Sequence, residues 1–292
     1  MSYLISSLRK TMPYIKFFDV SMRDGLQSLP PTYTLKHKKI MLNRIINTYN
    51  PDSLEIGSLV SPKILPQMKD SYELYNYANK YYVHKNNLYI PKFYLLVPPT
   101  EKHLEMAKNL NIKNISIMSS VSNKFQKKNV RMSLYETKNN IFKAVNTTKT
   151  LENKNHFDNV KVYLSCITQC PISGKIDNNL IVNELYDYLQ NDGINEVCIS
   201  DTCGKMSYSD FIHIIDYLNI DMKYNLDKVS LHLHCNDNLN YYTINNIITY
   251  AIKNKIYKFD VSSLNAGGCT ITLNNDELNN NLSYERFYKA LY

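Results

Sequence analysis

Phe17-Phe18-Asp19-Val20-Ser21-Met22-Arg23-Asp24-Gly25-Leu26-Gln27 is the stretch on which the fold reading turns. An apolar, β-prone run from Ile15 to Val20 stops at an adjacent arginine and aspartate, with a glycine next. That pattern describes a buried strand entering a loop, with one cation and one carboxylate presented at the strand's carboxyl end. An isolated Arg–Asp pair is ordinarily a solvated strand end. Here the other polar clusters fall at equivalent places in a repeated strand–helix pattern, and their residue types complement a carboxylate.

Strand-like runs recur at Ile15–Val20, Ser53–Ile56, Leu88–Leu96, Asn114–Met118, Val160–Cys166, Glu196–Ser200, Val229–Leu233 and Lys258–Val261. Helical patterns lie between them at Leu35–Asn47, Pro62–Lys80, Thr100–Leu110, Ser133–Leu151, Asp177–Gln190, Tyr208–Leu218 and Tyr241–Lys253, and Ser283–Leu291 closes the chain. Eight strands alternating with eight helices imply a parallel sheet, and that count points to a closed (β/α)8 TIM barrel. An open doubly wound sheet is the runner-up, but no GxGxxG turn follows the first strand. No Pro/Gly/Ser linker divides residues 1–292, so one catalytic barrel domain is expected. Residues 1–13 form an N-terminal extension with no clear amphipathic helix. The least regular stretches are Ser119–Arg131 and Thr270–Asn281, the second a lid loop.

Hydrophobic content of 44% with 21% charged residues describes an ordinary globular chain. No window approaches the about 18 uninterrupted apolar residues of a membrane span, so no membrane partner is expected. The net charge of +8 would suit a polyanion, but the lysines are spread along the whole chain and nucleic acid is not expected as a partner. Arg9 and Lys10 with several serines weakly resemble a transit peptide, and a cytoplasmic location is preferred to a mitochondrial one. Six cysteines without framework spacing read as reduced thiols, and neither Cys166/Cys170 nor Cys198/Cys203 has zinc-site spacing.

Chemistry in a (β/α)8 barrel sits at the carboxyl ends of the strands. Those ends carry Arg23 and Asp24, Glu55, Ser119 and Ser120, Ser165 and Cys166, Asp201 and Thr202, His232 and His234, and finally Gly267-Gly268-Cys269. In His232-Leu233-His234 the two imidazoles are at i and i+2 of a strand and project to one face. Two buried histidines are often structural; a rim carboxylate, Asp24, turns the reading toward a divalent ion with open coordination sites. Mixed nitrogen and oxygen ligation favours Mg²⁺ or Mn²⁺ and also fits Zn²⁺ or Fe²⁺. Arg23 beside that carboxylate could stabilise an oxyanion, or else form a structural salt bridge to Glu55 or Asp201. Cys269, after two glycines, could donate a proton or act as a nucleophile.

These motifs, in this order over residues 14 to 291, resemble the 3-hydroxy-3-methylglutaryl-CoA lyase family, among the metal-dependent barrel lyases and Claisen-type synthases. The likeness is carried by Arg23-Asp24-Gly25-Leu26-Gln27, by Leu54 to Met68 with its Val60-Ser61-Pro62-Lys63 and Pro66-Gln67-Met68, by Ser165-Cys166 and Cys170 to Lys175, by Asp201-Thr202, by His232-Leu233-His234 and by Gly267-Gly268-Cys269. The resemblance implies a divalent metal held by Asp24, His232, His234 and the amide of Asn281. It implies retro-Claisen cleavage of an acyl-CoA to acetyl-CoA and acetoacetate, as in leucine degradation and ketone-body formation. Arg23 would stabilise the enolate, Cys269 would protonate it, Asp201 and Glu55 would position the site, and a homodimer is the family's habit. This chain departs from the pattern at Asp19, Met22, Cys235 and Asn238, and its lid, Thr270 to Leu278, lacks glycine. A stiffer lid points to two alternatives: a related lyase or aldolase acting on another acyl-CoA or 2-oxo acid, or a diverged barrel that binds without turnover.

Overall fold

Lys16–Asp19 forms β1, and seven further strands follow it around a closed barrel: β2 (Ser53–Ser58), β3 (Lys92–Val97), β4 (Asn114–Ser120), β5 (Asn159–Ser165), β6 (Glu196–Ser200), β7 (Val229–His232) and β8 (Lys258–Val261). The computed structural model describes residues 2–83, 90–146, 156–236, 238–268 and 278–292. All eight strands are parallel, and β1 closes the ring by pairing with β2 on one side and with β8 on the other, Phe17 opposite Phe259. Each strand is short and mostly buried because helices cover its outer face, which is the arrangement parallel sheets require. The expected TIM barrel, as a single domain, is therefore the fold.

Alternate strand residues face the lumen, and contacts between strands that are not neighbours show which ones. Lys161 of β5 places its ammonium 3.8 Å from the centroid of the Phe18 ring on β1 and pairs with Asp260 of β8. Phe18, Val20 and Tyr94 pack together as one apolar group, and Leu96, Tyr163 and Cys198 as another. The opposite faces belong to the main core: Phe17 meets Phe287 edge to face at 5.1 Å, seating the closing helix Tyr284–Lys289 under β1. The lumen thus combines aromatic groups with buried charges. The charges are paired, as burial demands.

Three expectations need correction. The segment Ser2–Thr11 is a helix; Arg9 ties it to the barrel through an ion pair with Asp52 at 2.6 Å and a hydrogen bond to the Ile15 carbonyl at 3.1 Å. The helix read as Pro62–Lys80 begins at Ser71, after a 3-10 turn at Pro66–Met68. Pro66 holds Leu65 out of the helical region, with φ −125° and ψ 80°. Ser119–Arg131 is not irregular throughout: Asn123–Val130 is a helix, capped where Ser122 Oγ accepts the Phe125 N–H. Residues 84–89 and 147–155, which complete the strand read as Leu88–Leu96 and the helix read as Ser133–Leu151, lie outside the described residues, as does most of the expected lid. Among the described residues no helix is long and apolar enough to cross a membrane.

Candidate metal and catalytic site

The first site segment is built by a turn. After β1 the chain winds through a single π-type turn, Ser21–Gly25, in which the Arg23 and Gly25 N–H groups both donate to the Val20 carbonyl. Asp19 starts this turn by accepting the Ser21 N–H at 2.8 Å. The result aims Arg23 and Asp24, both nearly fully buried, over the end of the lumen.

Arg23 is gripped by two carboxylates, Nε donating to Glu55 and Nη1 to Asp24. Glu55, at 0% exposure, also accepts from Ser116 Oγ and from the Tyr163 hydroxyl, the latter at 3.3 Å. The guanidinium carbon lies 5.3 Å from the Tyr163 ring centroid. Burial works to lower the Arg23 pKa, but Glu55 and Asp24 outweigh it and hold the cation above its ordinary range. Burial likewise works to raise Asp24, and Arg23, His234 and His232 overcome it, keeping the carboxylate well below its usual value.

Asp24, His232 and His234 each bring one ligand-type atom to within 4.8 Å of the others. His234 Nε2 is 3.7 Å and His232 Nε2 4.0 Å from Asp24 Oδ2. The far sides of the rings decide the tautomers. His234 Nδ1 lies 2.9 Å from the Asp201 carbonyl, which can only accept, so the proton is on Nδ1. His232 Nδ1 lies 3.1 Å from Asp260 Oδ2, and Asp260 is ionised: burial opposes this, but Lys161 and His232 hold its pKa down. In the neutral rings, therefore, Nε2 is the lone-pair atom of each. Burial lowers the His232 pKa and favours the neutral ring a metal needs; for His234 burial acts the same way, but the Asp24 carboxylate more than offsets it.

Asn281 enters from a separate piece of chain. Asn280–Asn281 pairs antiparallel with His234–Cys235, placing Asn281 directly opposite His234. Its Nδ2 donates to the Ala266 carbonyl at 3.0 Å, which leaves Oδ1 buried and without a partner. Gly267 makes the close approach possible, since a Cβ there would stand 2.5 Å from Asn281 Nδ2. Gly268, with φ +94°, donates its N–H to Asp24 Oδ2 at 3.2 Å.

This donor set fits a hard divalent ion. Asp24, His232 and His234 offer one carboxylate and two imidazole nitrogens, and the Asn281 amide oxygen stands on the strand opposite His234 as a fourth candidate donor. Two of the four, His234 Nε2 and Asn281 Oδ1, are buried acceptors with no hydrogen bond, a state that costs stability unless something binds them.

Arg23, Asp24, Glu55, His232, His234 and Asn281 are thus placed at one end of the lumen. Asp201 is placed differently. Its carboxylate is taken by the Lys205 and Met206 N–H groups at 3.0 Å each, and its contribution to the cluster is the backbone carbonyl under His234. Cys269 lies outside the described residues. Sequence reasoning overlooked Lys161, Tyr163, Ser116 and Asp260, all lumen-facing. The signal was present as charged or hydroxylated residues at alternate positions of apolar strands, such as Lys161 and Tyr163 in Val160–Leu164 and Asp260 in Phe259–Val261.

A narrow cavity of about 30 Å³ sits among Arg23, Asp24, Tyr163, His232 and His234. It adjoins a groove of about 280 Å³ that runs from Arg23 and Asp24 between Val60, Ile64, Leu96, Val97, Met118 and Val130 toward His103 and Arg131. The arrangement can hold a cation, place an arginine beside it and admit a partly apolar ligand.

The chain is 28% identical over 266 residues to a mitochondrial hydroxymethylglutaryl-CoA lyase of Macaca fascicularis, covering 90% of this chain and 75% of that one. It is 25% identical over 237 residues to the Arabidopsis thaliana enzyme of the same name, of whose length it spans 46%. It is 26% identical over 191 residues to a Pseudomonas aeruginosa 3-hydroxy-3-isohexenylglutaryl-CoA/hydroxymethylglutaryl-CoA lyase, covering 65% of this chain and 58% of that one. The fold matches the crystal structure of the Pseudomonas aeruginosa hydroxymethylglutaryl-CoA lyase with a TM-score of 0.74 at 24% identity, covering 95% of this chain and 84% of that one. It matches an Acinetobacter baumannii HMG-CoA lyase in complex with coenzyme A and 3-methylmalate with a TM-score of 0.73 at 23% identity, covering 94% and 81%. The HMGL-like family model covers residues 14–267, from the threshold of β1 to the glycine beside Asn281, and the chain belongs to that family.

Proposed function

We propose that this protein is a divalent-metal-dependent carbon–carbon lyase that cleaves 3-hydroxy-3-methylglutaryl-CoA, or a closely related 3-hydroxyacyl-CoA, to acetyl-CoA and a 3-oxo acid. The observation that carries the reading is the convergence of Asp24, His232 and His234 within 4.8 Å, with Arg23 bonded to the same Asp24. Asp24, His232, His234 and Asn281 would hold Mg²⁺ or Mn²⁺. Such an ion, when bound, acts as a Lewis acid that lowers the pKa of a coordinated hydroxyl. Asp260 and the Asp201 carbonyl hold the two imidazoles in the tautomer that leaves Nε2 available. Glu55 fixes the Arg23 guanidinium, whose remaining N–H groups stabilise negative charge developing on the thioester oxygen as the carbon–carbon bond breaks. Cys269 returns a proton to the resulting enolate.

The test is acetyl-CoA release from 3-hydroxy-3-methylglutaryl-CoA with Mn²⁺ or Mg²⁺, with a chelator, and with Cys269→Ala. Metal-dependent release that collapses in the variant supports the assignment. A protein that binds Mn²⁺ yet releases nothing from this or longer 3-alkyl substrates overturns it. The apolar groove beside Arg23 and Asp24 favours a second reading, in which the preferred substrate carries a 3-substituent larger than methyl. The Pseudomonas aeruginosa relative named for the isohexenyl substrate is consistent with that. A higher kcat/KM for the longer substrate would establish it.

A further inference from the structure

The loop after β5 carries two cysteines that the lyase chemistry leaves unused. Cys170 Sγ accepts hydrogen bonds from Ser122 Oγ at 3.1 Å and from the consecutive backbone N–H groups of Ile172 and Ser173 at 3.3 and 3.4 Å. Ser122 Oγ already accepts the Phe125 N–H as a helix cap, which turns its own proton toward the sulfur. Two successive N–H groups converging on one atom form a small anion nest. The Cys166 thiol also donates to Cys170, and it is the first of the causes that drop the Cys170 pKa to about 4. Burial, its strongest influence, pushes the Cys166 thiol up. These donors favour the thiolate at Cys170, while burial favours the protonated thiol at Cys166, four residues earlier.

The segment between them is unrelaxed. Cys166 and Thr168 both have positive φ, 63° and 67°, and Thr168 Oγ1 is buried without a partner. Cys170 is covered by a turn whose outer residues, Ile172 and Ser173, are exposed.

We propose that Cys166 and Cys170 form a thiol pair that reacts with hydroperoxides, Cys170 being the attacking sulfur and Cys166 the resolving one. The Cys170 thiolate attacks one peroxide oxygen and the O–O bond breaks; Cys170 becomes a sulfenic acid, and the released hydroxide takes up a proton to leave as water. The Cys166 sulfur then attacks the Cys170 sulfur. An S–S bond forms, the S–O bond breaks, and the Cys166 proton leaves with the departing hydroxide as a second water. Two thiols are oxidised to a disulfide while one hydrogen peroxide is reduced to two waters. Solvent reaches Cys170 through local opening of the 171–173 turn. The inference stands apart from the lyase reading, because its readout is thiol chemistry alone.

The full-length protein is treated with equimolar hydrogen peroxide, alkylated after unfolding and mapped by mass spectrometry without reduction. The expected product is a 166–170 linkage, about 2 Da lighter than the dithiol and reversed by dithiothreitol. Mapping separates it from any product at Cys269. In Cys166→Ser, dimedone should trap the sulfenic acid at Cys170. In Cys170→Ser, oxidation of Cys166 should fall at least tenfold. Full alkylation of both cysteines in peroxide-treated wild-type protein would overturn the proposal, and so would undiminished oxidation of Cys166 in Cys170→Ser. The wild-type arm needs no variant to fold.

Discussion

His234 and Asn281 stand directly opposite one another across a two-residue antiparallel ladder, and each buries one acceptor atom that no hydrogen bond satisfies. Directly opposed residues project to one face, so the imidazole Nε2 and the amide Oδ1 are presented together. Asn281→Ala should therefore lower Mn²⁺ affinity by about tenfold or more, while in the metal-free protein relief of the unpaired acceptor offsets loss of the Nδ2 bond to Ala266. Titration calorimetry with Mn²⁺ checks this. Unchanged affinity would remove Asn281 from the ligand set.

Asp260 has two roles that separate experimentally. It orients His232, and it neutralises Lys161 in the lumen. Asp260→Asn should weaken Mn²⁺ binding by about 10–100-fold and destabilise the fold by about 3–5 kcal/mol, because Lys161 keeps a buried charge without its main partner. Adding Lys161→Met should recover much of the stability and none of the metal affinity. Urea unfolding and metal titration of the pair give the two readouts.

Arg23 serves two carboxylates at an angle that only a guanidinium spans. Lysine is a point charge and satisfies one at a time. Arg23→Lys should lower kcat by about 10²–10³ while Mn²⁺ affinity stays within tenfold, because Asp24 remains. Steady-state kinetics beside metal titration distinguishes loss of charge stabilisation from loss of the ion.

Asp19 predicts a pH dependence. Burial pushes its carboxyl up to about 6, against the hydrogen bonds from Ser21 and Tyr284. Because the folded pKa lies above the unfolded one near 3.8, the folded state holds the proton more tightly. The stabilisation is fully present below about pH 4 and is lost as the pH rises through about 6. Asp19→Asn keeps an acceptor for the Ser21 N–H and never ionises. Relative to wild type it should gain on the order of 2 kcal/mol between pH 4 and pH 8. Urea midpoints at both pH values test this, and an equal difference at the two would refute it.

How much of this could be read from one dimension follows from where the information is local. A parallel strand writes a short apolar run, a covering helix writes a 3.6-residue period, and an Arg–Asp or His–x–His placed where a run ends is visible without knowing the partner. Those signals carried the barrel, Arg23, Asp24, His232 and His234. Local signals blurred where turn chemistry mattered: Pro66 delays one helix to Ser71, and Ser122 starts another inside a stretch that looked irregular.

Tertiary structure alone decided which polar groups meet. Lys161 and Asp260 are 99 residues apart and Arg23 and Glu55 are 32 apart, yet each pair is in contact across the lumen rim. Closing the ring also separated the two halves of Asp201, its carboxylate spent on a turn and its carbonyl on His234. Strand identity depends on a residue's immediate neighbours, whereas tautomer, charge state and ligand geometry depend on atoms that only barrel closure and burial bring into contact.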